Sequence, residues 1–174
     1  MMDLNWEKGV SKEELLKILK KYAHPIYIEE IISASNFIHE DACYIQDDYR
    51  KKFIKSYIDG FILRIKDLKN DDTRYQGELD LEDLKFALDL LKEQKATNDV
   101  NEDFNHSFFK IYMIISIYTT FVLEEPVHPP GTPFPGGFEV KLDGETYTCP
   151  VKESQKDNPG AVCGFCIAEQ DENV

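Results

Sequence analysis

The distribution of proline and glycine divides this chain of 174 residues into two parts. Seven of the eight prolines lie between Pro126 and Pro159, and six of the nine glycines lie at or beyond Gly131. Proline removes a backbone donor and restricts the residue before it, so no helix can continue through the segment HPPGTPFPGG that follows Pro126. We therefore predict a single domain, with a helical body over residues 1–125 and a tail over residues 126–174.

Upstream of the tail, apolar residues recur at helical spacing, which predicts a mainly α fold with a bundle of about five helices. Ser11 and Glu14 form the pattern of a capping box, and Asp80 is a good N-cap residue for a later helix. Pro25 is expected in the first turn of the second helix. The last segment, from about Asp103 to Glu125, is apolar on every side, so we expect it at the centre of the bundle. The predicted buried faces are Leu15, Ile18, Leu19 and Tyr22; Ile28, Ile31, Ile32, Ser35, Ile38 and Ala42; Phe53, Ile54, Tyr57, Ile58, Phe61, Ile65 and Leu68; and Leu81, Leu84, Leu88 and Leu91.

The tail contains one clear β-hairpin signal, in the segment FEVKLDGETYTC. Apolar residues alternate on both sides of Asp143-Gly144, and an Asp-Gly pair suits a two-residue hairpin turn. In this register Cys149 lies opposite Phe138, which returns the chain to the end of the proline-rich loop. The sequence thus predicts a small β-hairpin appended to the helices, and no parallel sheet.

Charge and hydropathy limit the partners of this protein. The chain carries 33 acidic and 20 basic residues, a formal net charge of −13, which is repelled by nucleic acids and by anionic membranes. The opening MMDLNWEKGV lacks the pattern of a signal peptide. The longest uncharged apolar stretch, residues 111–123, would span only about 20 Å as a helix, less than a hydrocarbon core of about 30 Å. We predict a soluble, acidic, cytoplasmic protein without nucleic-acid or membrane partners, whose unidentified partners would be proteins.

Three of the four cysteines lie in the tail. Cys163 and Cys166 form a C-x2-C pair, which places two sulfurs on one tight turn, and Cys149 supplies a third at the end of the hairpin. His128, at the start of the proline-rich loop, is the best candidate for a fourth ligand. Three thiolates and an imidazole suit zinc, and cytoplasmic thiols stay reduced, so we predict a structural zinc site at these four residues.

Several alternatives to this site stay open on the sequence alone. The CGFC segment could be a redox pair, the cysteines could hold an iron–sulfur cluster, or the thiols could be unrelated. The fourth ligand could also be Cys43, which lies four residues after His39 on the second predicted helix, or a water molecule.

The segments HPPGTPFPGG, YTCPVK and NPGAVCGFC together resemble a family of uncharacterised archaeal proteins, found mainly in methanogens and classed as a domain of unknown function. The resemblance covers the tail, whereas the helical body is similar only in layout. It implies an archaeal cytoplasmic protein whose cysteine segment belongs to the domain. It also favours the iron–sulfur alternative somewhat, since anaerobic cells use such clusters freely, and it implies no catalytic residue.

Two functional hypotheses follow from the predicted metal site. If His128 fills the fourth position, zinc holds the tail onto the bundle and the protein acts as a helical module through protein contacts. If that position is open, three protein ligands and a water form the arrangement by which zinc activates water in enzymes. The nearby acidic residues Glu145, Glu153 and Asp157 resemble solvated surface more than a general base. The sequence therefore favours the module and leaves enzymatic activity undecided.

Overall fold

The computed structural model describes residues 9–174 except residue 102, and of residue 48 it describes only the backbone. Most of the segment examined for a signal peptide, residues 1–8, therefore lies outside the described part. Within that part six α-helices precede Pro126, and short strands follow it, which confirms the predicted mainly α fold with a small β appendage. The helices are α1 (Lys12–Ala23), α2 (Ile28–Asp41), α3 (Asp47–Tyr57), α4 (Arg64–Asn70), α5 (Leu81–Asn98), α6 (His106–Ile117) and, in the tail, α7 (Lys152–Gln155).

The predicted helix caps are confirmed. The Ser11 hydroxyl accepts from the backbone N–H of Glu14, and the Glu14 carboxylate accepts from the backbone N–H of Ser11 at 3.0 Å. Asp80 caps α5 by accepting from the backbone N–H groups of Glu82 and Asp83. Each cap satisfies N–H groups that have no partner within their own helix, so the sequence determines both starts locally.

The second helix differs from the prediction at its start and on its buried face. Pro25 lies in the turn before α2, where its missing N–H costs no helical hydrogen bond, and the helix begins at Ile28. Ile28 and Ile32 are 56% and 52% exposed, although both were predicted to be buried. A helix at the surface of a bundle buries only one stripe of its surface, and in α2 this stripe is narrower than the apolar band and includes an alanine. The buried residues of α2 are Ile31, Ala34 and Ile38.

Two helical segments contain π-helical turns. The third predicted helix is divided into α3 and α4 by the first π-turn, Ile58–Ile62, and α6 continues into the second π-turn, Tyr118–Leu123. The second π-turn ends at Glu124, whose φ of 55° is left-handed, and the chain then enters the proline-rich loop. Such turns are often found at functional sites, and here one follows Tyr57 while the other leads to His128.

The α6 segment is the centre of the bundle, as predicted. It contacts α1, α2, α4 and α5, and the side chains of Ile111, Ile115 and Ile117 are fully buried. The continuous segment His106–Leu123 has 18 residues, so by length and composition alone it could cross a membrane. However, 61% of that window is buried inside the protein, which is the behaviour of a core helix.

The tail forms the predicted hairpin, but its register differs. Leu142 pairs with Tyr147, so the two-residue loop consists of Gly144 and Glu145, not Asp143 and Gly144. Gly144 has a φ of 62° and occupies the first loop position, where a type II′ turn takes glycine. The strands are β1 (Pro133–Phe134), β2 (Phe138–Glu139), β3 (Lys141–Asp143), β4 (Thr146–Cys149) and β5 (Glu169–Gln170).

This register corrects two further predictions. Phe138 pairs with Phe134 in a separate two-stranded sheet, and Cys149 packs against Val140 instead of lying opposite Phe138. The prediction of no parallel pairing is wrong, because β5 pairs with β4 in parallel. A two-residue strand whose partner lies about twenty residues earlier leaves no periodic pattern that the sequence could reveal.

The tail docks onto the helical body through apolar and polar contacts. Val162 and Phe165 belong to the main hydrophobic core, and the Phe165 ring lies 6.3 Å from that of Phe121. The Nε2 amide of Gln94 donates to the carbonyls of Pro159 at 2.9 Å and Ala161 at 3.1 Å. These contacts hold the cysteine turn against α5 and the second π-turn.

Candidate metal centre

The four predicted ligand residues, Cys149, Cys163, Cys166 and His128, all line one small cavity. The volume open to the centre of a water-sized sphere is about 10 Å³. This is enough for one water molecule or one ion. Among the described residues no aspartate or glutamate lines this cavity. Its walls are completed by Pro126, Val140, Lys152, Val162 and Ala168.

The two cysteines of the C-x2-C pair are held on a tight turn. The backbone N–H groups of Phe165 and Cys166 both donate to the carbonyl of Val162, at 3.2 and 3.0 Å. A Cβ atom at Gly164 would lie 3.0 Å from the backbone carbonyl oxygen of Lys156, so this position favours glycine. The turn thus combines local hydrogen bonds with a close approach of two backbone segments.

Lys152 places a positive charge beside the thiols. Its Nζ donates to the carbonyls of Cys163 and Cys166, at 2.6 Å in each case. Lys152 lies three residues after Cys149, so one ammonium group connects the segment that carries the third thiol to the C-x2-C turn. A cation in this position offsets part of the negative charge that thiolates would bring into the cavity.

Cys149 and Cys163 are buried, and burial is the main influence on their acidity. Burial raises the pKa of Cys149, although the backbone N–H groups of Val151 and Lys152 near its sulfur act in the opposite direction. Burial, together with the neighbouring thiols of Cys166 and Cys149, raises the pKa of Cys163 to about 11. Without a metal, both buried groups are therefore neutral thiols at pH 7.

His128 is positioned by α3 and by the proline-rich loop. Its Nε2 forms a hydrogen bond of 3.0 Å with the Tyr57 hydroxyl, and its ring meets Phe134 edge-on at 5.9 Å. The residue is only partly exposed, and burial lowers the pKa of the imidazole to about 4, so the ring is neutral at pH 7. In the tautomer in which Nε2–H donates to the Tyr57 hydroxyl, Nδ1 of the neutral imidazole has no proton and can bind a metal.

The loop that carries His128 is seated against the first π-turn. A Cβ atom at Gly60 would lie 2.7 Å from Cγ of Pro129, so only glycine allows the proline ring to approach the helix this closely. The Tyr49 hydroxyl also donates to the carbonyl of Pro133 at 2.9 Å. The loop therefore contacts the helical body at Pro129 and again at Pro133.

In donor chemistry the cavity fits zinc, but its side chains are not in a metal-binding arrangement. Within residues 9–174, leaving aside residue 102, no group of three or more His, Cys, Asp or Glu side chains is placed so that it could hold a metal ion. All four cysteines are free thiols in this structure. The four predicted ligands therefore share a cavity without forming a finished tetrahedral site.

Cys43, the alternative ligand, lies elsewhere. It is in the 3₁₀ turn Ala42–Tyr44, beyond the end of α2, and its side chain is exposed, as is that of His39. Neither residue lines the cavity.

The sequence did not reveal the supporting residues of this site. Tyr57 was predicted only as part of a buried face, and it lies 71 positions before His128, so no local pattern connects the two. Lys152 stands in the quoted segment YTCPVK, where its spacing from Cys149 is the only available signal.

The fold and site define a mainly helical protein whose cysteine-rich tail docks against a bundle. The chain belongs to the family DUF2115, described as an uncharacterized protein conserved in archaea, whose model matches residues 11–171. This confirms the predicted archaeal family, although the match does not single out the tail motifs.

The curated relatives come from methanogens. The chain is 43% identical over 165 residues to a UPF0305 protein of Methanothermobacter thermautotrophicus, covering 95% of this chain and 99% of that protein. A second UPF0305 protein of the same organism is 32% identical, with 91% and 95% of the two chains covered. A UPF0305 protein of Methanopyrus kandleri is 34% identical, with 72% and 87% covered. No solved structure matches the chain at a significant level.

Proposed function

We propose that Cys149, Cys163, Cys166 and His128 bind one zinc ion, and that the ion is structural in a helical module that acts through protein contacts. The observation that carries this proposal is that all four side chains line one cavity with room for a single ion. The ion would join the hairpin, the C-x2-C turn and the proline-rich loop, and so fasten the tail to the bundle.

The chemistry of the cavity supports zinc over harder cations. Thiolates and imidazole are ligands that zinc prefers, whereas calcium and magnesium require oxygen ligands. Three thiolates and Zn²⁺ carry a net charge of −1. The ammonium of Lys152, which donates to the carbonyls of the C-x2-C turn, balances this charge. A hydrogen bond in which Nε2–H of His128 donates to the Tyr57 hydroxyl is the kind of support that orients a histidine ligand.

The size and lining of the cavity favour a structural role over the alternatives. A space of about 10 Å³ has no room for a substrate beside an ion, and no carboxylate lines it, among the described residues, to act as a base. An iron–sulfur cluster holds several atoms and requires more space than one ion. A redox pair is favoured by a lowered thiol pKa, whereas burial raises the pKa of Cys163 to about 11.

The substitution His128→Ala tests this proposal. Protein purified without oxygen should contain less zinc than the wild type, and its melting temperature should fall in parallel, because metal binding contributes to folding. His39→Ala is the matched control, since His39 is exposed and does not line the cavity, and it should change neither quantity. Full zinc content and unchanged melting in His128→Ala would contradict the proposal and would favour an open, enzyme-like metal position.

A further inference from the structure

A second and larger cavity is also lined by His128. Its volume is about 380 Å³, within the range of small-molecule sites, which is about 300–1,000 Å³. Residues of α2, α5, α6 and the tail segment around Ala161 form its walls. His128 lines both this cavity and the small cysteine cavity, so the two spaces are neighbours.

Aromatic rings form most of the wall of this aromatic cavity. The ring of Phe108 lies between those of Phe37 at 4.9 Å and Tyr112 at 5.8 Å, and it is inclined to the Tyr112 ring by only 27°. Among the described residues no aspartate, glutamate, lysine or arginine lines the space. Aromatic side chains pack well against other flat rings. They do not offset the free-energy cost of burying a charge.

Several polar side chains line the wall. The Tyr112 hydroxyl makes no hydrogen bond with any described residue, and burial raises its pKa, so it stays a proton donor. Gln94 and Asn98 donate amide N–H groups to backbone carbonyls, which leaves their side-chain oxygens as acceptors. The cavity therefore offers the Tyr112 hydroxyl as a donor and two amide oxygens as acceptors.

We propose that this aromatic cavity binds a planar, uncharged aromatic or heteroaromatic molecule with a hydrogen-bonding group on one edge. Its ring packs against the aromatic side chains of the wall, and the Tyr112 hydroxyl and the Gln94 oxygen bind its polar edge. The absence of charged side chains from the described lining and the net charge of −13 select against anions. Of the proposed zinc ligands only His128 lines this space. The Gln94 amide holds the tail wall through the carbonyls of Pro159 and Ala161, so binding does not require zinc.

The probe is 2-naphthol, a planar neutral molecule whose hydroxyl both donates and accepts. Its fluorescence is titrated with the full chain, first as purified and then after chelation, and saturable binding should persist in both. The anion 2-naphthoate should bind at least about tenfold more weakly, because its carboxylate would lose water without gaining a cationic partner. Loss of binding on chelation, or equal binding of the anion, would overturn the inference. Neither result depends on whether the purified protein contains zinc.

Three variants locate the probe. Ala161→Leu fills the aromatic cavity and should weaken binding at least about tenfold, whereas Tyr112→Phe keeps the ring and should cost about fivefold through the lost hydrogen bond. Phe86→Trp is the control, because Phe86 lines a cavity that shares no residue with the aromatic cavity, so this change should leave binding unchanged. Melting curves check that each variant is folded. Unchanged binding in Ala161→Leu, or an equal loss in Phe86→Trp, would refute the assignment.

Discussion

Gly60 lies in the first π-turn, three residues after Tyr57, and a Cβ atom there would lie 2.7 Å from Cγ of Pro129. Replacing a glycine inside a helix by alanine usually stabilises a protein by up to about 1 kcal/mol. The backbone of Gly60 does not have a positive φ, so alanine would be tolerated if Pro129 were absent. We predict the opposite sign here, because the added methyl group collides with the proline ring.

The magnitude follows from these two opposing effects. Overpacking a closely packed contact costs about 1–3 kcal/mol, from which the gain in helix propensity is subtracted. The net loss in the free energy of unfolding is then up to about 2 kcal/mol, and the melting temperature falls by about 2–4 °C per kcal/mol in a chain of this size. Because Pro129 adjoins His128, the displaced loop should also lower zinc content.

The assay is a double-mutant cycle measured by urea unfolding. Pro129→Ala removes the ring that the methyl group meets, so Gly60→Ala in that background should be neutral or stabilising. The helix-propensity gain cancels in the cycle, so the coupling between the two positions should equal the collision energy, about 1–3 kcal/mol in favour of the double variant. A stabilising Gly60→Ala single variant, or additive losses in the double variant, would refute the close contact between the first π-turn and the proline-rich loop.

The remaining predictions concern the metal site itself. Zinc must displace protons from the thiols of Cys149 and Cys163, whose pKa values are raised by burial, while His128 with a pKa of about 4 is already neutral. Apparent zinc affinity should thus rise at least about 100-fold per pH unit near pH 7 in competition with a chromophoric chelator, and affinity that does not change with pH would contradict this. Tyr57→Phe removes the hydrogen bond to His128 and should weaken zinc about tenfold or more in the same assay; an unchanged affinity would mean that the tyrosine does not orient the ligand. Lys152→Met leaves two carbonyls of the C-x2-C turn without their donor and should lower the free energy of unfolding by about 1–3 kcal/mol in urea, a loss that should be absent if these hydrogen bonds do not form.

The parts of the fold that depend on local chemistry could be predicted from the sequence. The caps at Ser11 and Asp80 involve only neighbouring backbone groups, and the apolar α6 segment required a central position. The exact hairpin register could not be predicted, because an Asp-Gly pair admits glycine at either loop position and only tertiary packing selects one. The π-turns were missed because each covers only five or six residues, which is too short to show a separate period in the apolar pattern.

Part of the candidate site could also be predicted from the sequence. The spacing of the cysteines indicates the C-x2-C pair and the third thiol, and the position of His128 at the start of the proline-rich loop makes it the candidate for the fourth ligand. The Tyr57–His128 hydrogen bond and the Gly60–Pro129 contact join segments far apart in sequence, so they depend on how α3 packs against the tail. The predicted zinc stays a prediction, because shared lining of one cavity is not yet a set of metal–ligand bonds.

The central claim is tested most directly by elemental analysis of protein purified without oxygen, with thiol titration before and after chelation. We expect one zinc ion per chain, one reactive thiol from the exposed Cys43 before chelation, and all four thiols reactive afterwards. Metal-free protein whose four thiols react equally without a chelator would contradict the claim. Iron with sulfide in place of zinc would contradict it as well and would favour the cluster.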